Sequence, residues 1–411
     1  MSAIDEGAVG LKREEKAWLV SLIVVAGFSL SVVFHYWLGF YRGDPYPRNT
    51  FLFLPSDHSM DFYNLFNPIK AGNPFSYRWW IYFPFAYLPF SLLTPFSARS
   101  VYTVFMAIFV GAVVLFLYRR LDFLPPYERA TATFILSFLT YPFLFCLDRG
   151  NFECLVFVFL CLFFTAFRRD KQKLSVFFLA CAIAMKAYPG VFVILFVARR
   201  RYKDAFAAVA LAGLLTVLSA AVSPAGVAGS FRGLMYNLGL YKEVYIIGDG
   251  GLAFGSSYFG VMKVISSSLH PLSPERLNQL LLPYALLCFA AFALLALYVV
   301  LYEKTLWKKV ALLSFSMILL PQVSGDYKLI HLLFPLALFI SSAEEDRRAA
   351  LYSVLFGLLL IPKALFWIKG DISVSVILNP LLMTAMIFLI LVDGLRRPSA
   401  GLSRETPSAA G

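Results

Sequence analysis

Eleven apolar stretches dominate the chain, and their lengths limit the folds that it can adopt. Roughly 20 apolar residues in an α-helix cross a hydrocarbon core about 30 Å thick. The stretches are Trp18–Phe40, Ser100–Tyr118, Ala130–Leu147, Phe152–Phe167, Leu174–Val197, Ala205–Val222, Leu280–Tyr302, Val310–Val323, Ile330–Ser342, Leu351–Ile368 and Val374–Val392. Such a series predicts an all-α polytopic membrane protein.

The composition excludes most soluble classes of protein. Hydrophobic residues make up 60% of the 411 residues and charged residues 15%, whereas soluble domains contain about 45–50% apolar and about 25% charged residues. A soluble globule could not cover this much apolar surface with polar side chains. A soluble enzyme, a disordered chain and a disulfide scaffold are therefore excluded. The 5 cysteines, none of them in a CxxC motif, are predicted to be buried apolar side chains.

The net charge of +12 indicates membrane orientation rather than nucleic-acid binding. The basic residues form short clusters between apolar stretches, and such clusters stay on the cytoplasmic side of a membrane. The clusters placed inside are Arg119-Arg120 with Arg129, Arg168–Lys173, Arg199–Arg201 with Lys203, Lys304 with Lys308-Lys309, Arg347-Arg348, and Arg396-Arg397. We therefore predict an integral membrane protein with both termini in the cytoplasm and no nucleic-acid partner.

Two segments decide how many times the chain crosses the membrane. Basic clusters flank Leu174–Val197 at both ends, so this stretch is predicted to form a hairpin of two short helices, broken at Lys186-Ala187-Tyr188-Pro189-Gly190 because proline ends a helix. Trp79–Phe96 contains three prolines and is predicted to be an outer-leaflet or re-entrant helix pair. The prediction is then about 12 crossings in one membrane domain, residues 1–397. Two large outer loops, 41–99 and 223–278, and a disordered cytoplasmic tail, 398–411, complete it.

The first outer loop contains the strongest candidate for a catalytic group. Asp61 begins a short amphipathic pattern formed by Phe62, Leu65, Phe66 and Ile69, which predicts a helix on the membrane surface. A carboxylate there can act as general base for a hydroxyl that attacks an activated carbon. It can also cap the helix and interact favourably with the helix dipole. Both interpretations stay open at this point.

A second acidic site lies in the predicted outer turn Asp148-Arg149-Gly150-Asn151, with Glu153 just inside the next apolar stretch. Gly and Asn suit a tight turn. Ionisable residues at a membrane boundary are costly, however, and indicate a function. The turn is therefore either an ion-paired structural corner or a contact to a substrate.

Further polar residues interrupt the later apolar stretches. Lys186, followed by Tyr188, either binds a phosphate as a point charge or extends to the membrane interface. Asp326 and Lys328 lie in a later outer turn, where they either pair with each other or bind a substrate. His331 begins the next apolar stretch.

The sequence contains none of the common catalytic signatures: HExxH, GxGxxG, a P-loop and a nucleophile elbow are all absent. His58 with Asp57 and Asp61 could hold a divalent cation, but neither a metal nor another cofactor is expected. The second outer loop mixes aromatic residues such as Tyr236 and Tyr245 with Asn, Asp and Gly. This mixture is compatible with a carbohydrate-binding surface.

The order of these motifs resembles glycosyltransferase family 87, a family of polyprenyl-phosphate-sugar-dependent transferases that includes phosphatidylinositol mannoside mannosyltransferases. The matching motifs are Asp61-Phe62 with Gly72-Asn73-Pro74-Phe75, Phe83–Pro89, Asp148–Asn151, Ala180–Pro189, and Pro321–Lys328 with His331 and Pro335. Together they extend over nearly the whole chain. Family members often have Asp-His-His at the position of Asp326-Tyr327-Lys328.

The resemblance implies a GT-C-type fold with short amphipathic helices in its outer loops and an active site on the periplasmic or extracellular face. The implied reaction is inverting transfer of a hexose, most often mannose, from a polyprenyl-phosphate-linked donor to a lipid or glycan acceptor among the membrane lipids. By the same resemblance Asp61 is the catalytic base, and Lys186, Arg78 and Arg149 are cations for the leaving phosphate. The other residues expected to bind substrate are Asp148, Asn151, Tyr188, Asp326, Lys328 and His331.

Two other classes of membrane protein compete with this interpretation. A transporter or flippase of lipid-linked glycans would place broken helices and buried charges near the midplane, but the chain shows no obvious pair of inverted halves. An O-antigen polymerase or ligase would also use an outer loop, with Arg and His rather than an early Asp. Asp61, Asp148 and Asp326 are all predicted at the outer boundary, and this shared side favours an enzyme.

Overall fold

The computed structural model describes residues 10–269, 272–343 and 346–396, and α-helix dominates this part of the chain. The helices are α1 (Arg13–Tyr36), α2 (Met60–Lys70), α3 (Tyr87–Ser91), α4 (Ala98–Arg120), α5 (Pro126–Phe138), α6 (Tyr141–Arg149), α7 (Glu153–Arg168), α8 (Gln172–Met185), α9 (Val193–Ala198), α10 (Tyr202–Val222), α11 (Gly226–Tyr241), α12 (Tyr258–Leu269), α13 (Pro274–Leu301), α14 (Leu306–Leu319), α15 (Leu333–Ile340), α16 (Ala349–Leu360) and α17 (Ser375–Arg396). The tail predicted at 398–411 lies outside the described residues.

Short irregular helices and one hairpin connect these elements. Two π-helical segments, Trp37–Tyr41 and Lys242–Ile247, extend α1 and α11. The 3₁₀ segments are Pro55–Asp57, Pro74–Ser76, Pro84–Ala86, Tyr188–Phe192, Leu252–Phe254 and Asp326–Leu332. Strands β1 (Trp367–Lys369) and β2 (Ile372–Ser373) pair antiparallel after α16.

Several helices are long and apolar enough to cross a membrane, as an all-α membrane protein requires. Among the described residues, five meet this condition alone: Arg13–Tyr41, Ala98–Arg120, Tyr202–Val222, Pro274–Leu301 and Ser375–Gly394. A sixth span results if α5 and α6, which meet at a 55° bend, cross together. The other apolar helices are shorter, and the count of about 12 crossings stays a prediction.

Two helices end earlier than the apolar stretches predict, because proline follows. α14 ends at Leu319 instead of Val323, since Pro321 has no N–H to continue the helical hydrogen bonds. α16 ends at Leu360 instead of Ile368. Ile361, which precedes Pro362, has the extended conformation that a following proline favours.

The predicted break in Leu174–Val197 is confirmed. α8 ends at Met185, Lys186 is extended, and Pro189 lies in the 3₁₀ segment before α9. Beyond α9, Arg199 pairs with Asp170 at 2.8 Å and donates to the Phe167 carbonyl at 3.1 Å. The basic turns at the two ends of the broken segment therefore lie next to each other, as the predicted hairpin requires.

The stretch Trp79–Phe96 does not form the predicted pair of helices. It contains the 3₁₀ segment Pro84–Ala86 and the five-residue α3, since its three prolines interrupt helical hydrogen bonding. α2, by contrast, forms where the amphipathic pattern predicts it, and buries Phe62, Leu65, Phe66 and Ile69.

A phenylalanine-rich core holds the helices around the outer loops. On α7, Phe157 stacks on Phe334 of α15 at a ring distance of 4.6 Å, and Phe164 contacts the same ring at 4.7 Å. Phe109 of α4 makes an edge-to-face contact with Phe157 at a ring distance of 6.0 Å. This packing brings the start of α7 close to the 3₁₀ segment Asp326–Leu332, and both carry predicted site residues.

Candidate active site

Asp61 lies in the first turn of α2, but it does not cap that helix. Ser59 occupies the N-cap position, with a left-handed backbone conformation. The side chain of Asp61 is 17% exposed and points towards the turn that follows α6. The capping interpretation of Asp61 is therefore wrong, whereas its position in the first turn fits the predicted favourable interaction with the helix dipole.

Arg149, the last residue of α6, and Asn151, in the turn that follows, hold the Asp61 carboxylate. Arg149 forms a short ion pair with Oδ1 of Asp61, and the amide of Asn151 donates to Oδ2 at 2.6 Å. Arg149 also donates to the Asp57 carbonyl at 3.2 Å and lies 4.0 Å from the ring of Phe53. These contacts orient the carboxylate from two sides, and they join the predicted turn to the first outer loop.

Asp148 anchors the chain that leads into α2. Its Oδ2 accepts a hydrogen bond from the Phe53 amide at 3.1 Å, and its backbone carbonyl accepts one from the Ser59 amide at 2.8 Å. Its Oδ1 forms a short ion pair with His58. Asp148 is thereby bound to residues on both sides of Pro55–Asp57, so it positions the loop that carries Asp61.

A second ionic centre forms around Glu153, at the start of α7. The carboxylate is fully buried, with Lys186 Nζ at 2.7 Å on one oxygen and His331 Nε2 at 2.7 Å on the other. The backbone amide of Glu153 donates to Asn151 Oδ1 at 2.9 Å. Since Asn151 also contacts Asp61, a continuous series of polar contacts joins Asp61 to Lys186.

Lys328 supplies a second cation beside Lys186. It is buried with its ammonium 4.5 Å from the ring centre of Tyr188, and Lys186 lies 5.9 Å from the same ring. Burial lowers the pKa of Lys328 to about 8, against the opposing effect of the Glu153 carboxylate. No carboxylate of a described residue lies within ion-pair distance of Lys328. The hydroxyl of Tyr188 is also buried without a hydrogen bond to any described residue.

Asp326 does not pair with Lys328, so that interpretation of the outer turn is wrong. Its carboxylate accepts hydrogen bonds from Tyr141 at 2.8 Å and from Ser256 at 2.6 Å. Asn379 of α17 donates to the same serine hydroxyl at 3.2 Å. Asp326 therefore connects α6, the second outer loop and α17, and its contacts are those of a buried structural group.

Arg78 is the one predicted phosphate ligand without a contact to this group of residues. It is exposed, and its guanidinium lies 5.1 Å from the ring of Trp79. Within the described part of the chain, no acidic side chain forms an ion pair with Arg78.

Three further residues complete the site, and among them only Glu153 had a sequence signal, as an ionisable residue at the membrane boundary. Glu153 binds two of the predicted residues, and its position inside an apolar stretch was the available signal. Tyr82 donates to the Asp61 carbonyl at 3.3 Å, and Tyr327 lies within electrostatic range of both Asp61 and Glu153. Many tyrosines occur in this chain, so no sequence signal distinguished these two.

The three residues considered as a cation site, His58, Asp57 and Asp61, do not converge. His58 contacts Asp148, and Asp57 contacts Ser56 at 3.4 Å. Within residues 10–269, 272–343 and 346–396, no group of three or more His, Cys, Asp or Glu side chains is arranged to hold a metal ion.

Gly150 allows the turn between Arg149 and Asn151. Its φ of 58° is left-handed, and an added Cβ would lie 3.0 Å from the ring of Tyr102 and 3.3 Å from Phe62. We expect Gly150→Ala to lower the free energy of unfolding by about 1–2 kcal/mol, because L-residues are strained in this conformation. Thermal unfolding in detergent measures the effect. Gly213→Ala on α10 is the control, since its Cβ would meet nothing within 4 Å, and equal stability of the two variants would contradict the prediction.

Comparison with known proteins assigns the chain to a family. The model of glycosyltransferase family 87 matches residues 80–324. No curated protein and no solved structure matches the chain. The match contains Arg149, Asn151 and Lys186, whereas Asp61 precedes it and Lys328 follows it. Because it covers more than half of the 411 residues, this protein belongs to glycosyltransferase family 87 and is a membrane glycosyltransferase.

Proposed function

We propose that the protein transfers a hexose, most often mannose, from a polyprenyl-phosphate-linked donor to a lipid or glycan acceptor, with inversion at the anomeric carbon. The observation that carries this proposal is the series of polar contacts from Asp61 through Asn151 and Glu153 to Lys186. It connects a carboxylate suited to accept a proton with cations suited to a departing phosphate.

The proposed reaction needs one base and one leaving group. Asp61 accepts the proton of the acceptor hydroxyl while that oxygen attacks the anomeric carbon. The bond between this carbon and the phosphate oxygen breaks, and polyprenyl phosphate leaves with the electron pair. Since this leaving group is a stable anion, the scheme requires neither a metal nor another cofactor. Arg149 and Asn151 fix the direction of the Asp61 carboxylate throughout.

An apolar groove beside the two lysines supports a lipid-linked donor. The groove has a volume of about 310 Å³ and lies between α13, α14 and the 3₁₀ segment that carries Tyr188, with Phe289, Phe292 and Met317 among its lining residues. Phe289 is 73% exposed, which suits a groove open to lipid. A polyprenyl chain in this groove would place its phosphate next to Tyr188, and hence next to Lys328 and Lys186.

An in vitro transfer assay tests the proposal. The purified protein in nanodiscs receives radiolabelled polyprenyl-phosphomannose together with a bacterial lipid extract, and the label is followed from donor to acceptor. Transfer that depends on the protein supports the proposed function. Absence of transfer with mannose, glucose and galactose donors, together with protein-dependent movement of the intact donor across a vesicle membrane, would favour the transporter instead.

Lys328 gives a separate prediction on donor binding. We expect Lys328→Gln to raise the apparent KM for the donor by about 10- to 100-fold, because a charged hydrogen bond to phosphate contributes about 1.5–3 kcal/mol. The pKa of about 8 means that the wild-type KM rises above this pH as the ammonium loses its proton. The pH dependence should disappear in Lys328→Arg.

The exposed Lys369 on β1 is the control, since Lys369→Gln removes the same charge from the hairpin that follows α16. A Lys328→Gln enzyme with the donor KM and pH profile of Lys369→Gln would exclude Lys328 from phosphate binding. Unchanged thermal unfolding of both variants ensures that the comparison concerns binding rather than folding.

The orientation of the protein is part of the proposal. We place the site on the periplasmic or extracellular face of a bacterial inner membrane, with both termini in the cytoplasm and about 12 crossings. The two basic turns at the ends of Leu174–Val197 lie next to each other, joined by the ion pair between Arg199 and Asp170. This arrangement supports the proposed orientation, because basic residues concentrate on the cytoplasmic side.

A further inference from the structure

An exposed aromatic and cationic tip, formed by Tyr77, Arg78 and Trp79, projects from the first outer loop. Tyr77 is 46% and Trp79 is 39% exposed. The guanidinium of Arg78 lies 5.1 Å from the ring of Trp79. The next residue, Trp80, is buried, so the chain changes abruptly from an exposed tip to the core.

The backbone of this tip is held in an unfavourable conformation. Trp79 has a φ of 75°, which is uncommon for a bulky residue and costs free energy. The buried side chain of Asn237 on α11 binds the tip on both sides. It accepts from the Trp79 amide at 2.9 Å and donates to the Tyr77 carbonyl at 3.1 Å. Two hydrogen bonds to one side chain therefore stabilise a backbone that local preference disfavours.

The tip is continuous with the candidate active site through α2. Trp80 donates from Nε1 to the Leu65 carbonyl at 3.3 Å, one turn after Asp61. Tyr82 donates to the carbonyl of Asp61 itself. The tip is therefore attached to the helix that carries the proposed base.

A second connection runs along α11. Asn237 and Tyr241 are four residues apart and lie on the same face of this helix. Tyr241 stacks on Tyr245 at 4.5 Å and lies within electrostatic range of Lys186 and Tyr327. α11 therefore carries both the side chain that binds the tip and a tyrosine in the neighbourhood of Lys186.

We infer that Arg78 and Trp79 form the acceptor-binding surface of this enzyme, and that they recognise a saccharide headgroup that carries an anionic group. An indole ring offers a flat apolar face to the C–H groups of a sugar, and an unpaired guanidinium offers a planar fork to a phosphate or carboxylate. Positive charge on Arg78 complements an anion. Trp80 and Tyr82, which follow the tip in the chain, attach it to α2, the helix that carries Asp61. This inference rests on the proposed transferase function.

An ordinary interfacial anchor is the competing explanation, since Trp is enriched at membrane surfaces. The chain contains a natural comparison in Trp37, which is 47% exposed with Arg42 at 5.6 Å from its ring. Trp37 lies in the π-helical end of α1 with an ordinary right-handed backbone. In the described part of the chain, no side chain holds its backbone as Asn237 holds that of Trp79. An anchor needs neither a strained backbone nor attachment to the catalytic helix.

Transfer kinetics in nanodiscs of neutral phosphatidylcholine separate acceptor binding from donor binding. Trp79→Ala and Arg78→Gln are each expected to raise the apparent KM for a bacterial lipid extract about 10-fold, the effect of about 1.4 kcal/mol, while the donor KM stays constant. Trp37→Ala and Arg42→Gln are the matched controls and should leave both KM values unchanged. An increase in the donor KM, or equal effects at both tryptophans, would overturn the inference.

Binding of a soluble probe tests the surface without any transfer reaction. Saturation-transfer NMR with mannose 6-phosphate, mannose and inorganic phosphate is expected to show the strongest binding for mannose 6-phosphate, weakened about 10-fold by Trp79→Ala. Weakening by Lys328→Gln instead of Trp79→Ala would assign the probe to the donor site and overturn the inference. If the probe binds in a Trp79-dependent way but no transfer occurs, the result contradicts the proposed reaction and not the inferred binding surface.

Discussion

Replacing Asp61 by Asn is expected to lower the initial rate of sugar transfer by roughly 10²- to 10⁴-fold, the usual contribution of a general base. Asn has nearly the same shape, but its amide cannot accept the proton of the acceptor hydroxyl. The measurement is the rate of transfer from radiolabelled polyprenyl-phosphomannose at saturating donor. The main effect should appear in kcat, because Asp61 acts in the transition state rather than in donor binding.

Asp57 provides the matched control for this experiment. It lies in the same loop, and Arg149 contacts its backbone carbonyl rather than its carboxylate. Asp57→Asn therefore removes a neighbouring charge without breaking that contact, and its rate should stay within about twofold of wild type, since such substitutions cost about 0.5 kcal/mol or less. Equal transfer rates for both variants and the wild type would exclude Asp61 as the base and make Asp148 the next candidate.

Replacing Glu153 by Ala is expected to lower the free energy of unfolding by about 3–5 kcal/mol, because it leaves a cation without its partner in a buried site. Lys186 and His331 would both lose their contact to the carboxylate. The side chain of Lys186 is 21% exposed. Water can therefore partly solvate the unpaired ammonium, so we expect a loss of stability near the lower end of this range. Thermal unfolding in detergent, followed by tryptophan fluorescence, measures the loss.

Two further variants make the Glu153 result interpretable. Glu243→Ala removes an exposed carboxylate from the second outer loop and should change stability by about 0.5 kcal/mol or less. The double variant Glu153→Ala/Lys186→Met removes the uncompensated cation together with its partner, so it should recover part of the lost stability. If Glu153→Ala unfolds at the same temperature as Glu243→Ala, the ionic centre does not stabilise the fold.

Local sequence patterns predicted the elements that carry the site. The spacing of Phe62, Leu65, Phe66 and Ile69 predicted α2, and Pro189 predicted the break at Lys186–Gly190. Both predictions depend on interactions within a few residues, namely helix periodicity and the missing N–H of proline. The helix pair predicted for Trp79–Phe96 failed, because apolar composition alone does not distinguish a short helix from 3₁₀ turns between prolines.

These local patterns could not predict which residues that are distant in the sequence contact each other. Asp326 and Lys328 are two residues apart, yet Asp326 binds Tyr141 and Ser256, and Lys328 lies over Tyr188. In the same way Glu153, 178 positions before His331, binds that residue directly. A charge pattern lists the groups that need partners, but packing of distant helices decides which partners meet.

The sequence by itself determined that the chain is an α-helical membrane protein with polar residues at a few boundaries, because apolar length and helix periodicity are local properties. Only the tertiary structure decided that Arg149 and Asn151 bind Asp61, and that Glu153 joins Lys186 to His331. Buried polar groups require partners at hydrogen-bond distance. Those distances exist only after the helices have packed, so no pattern of neighbouring residues contains them.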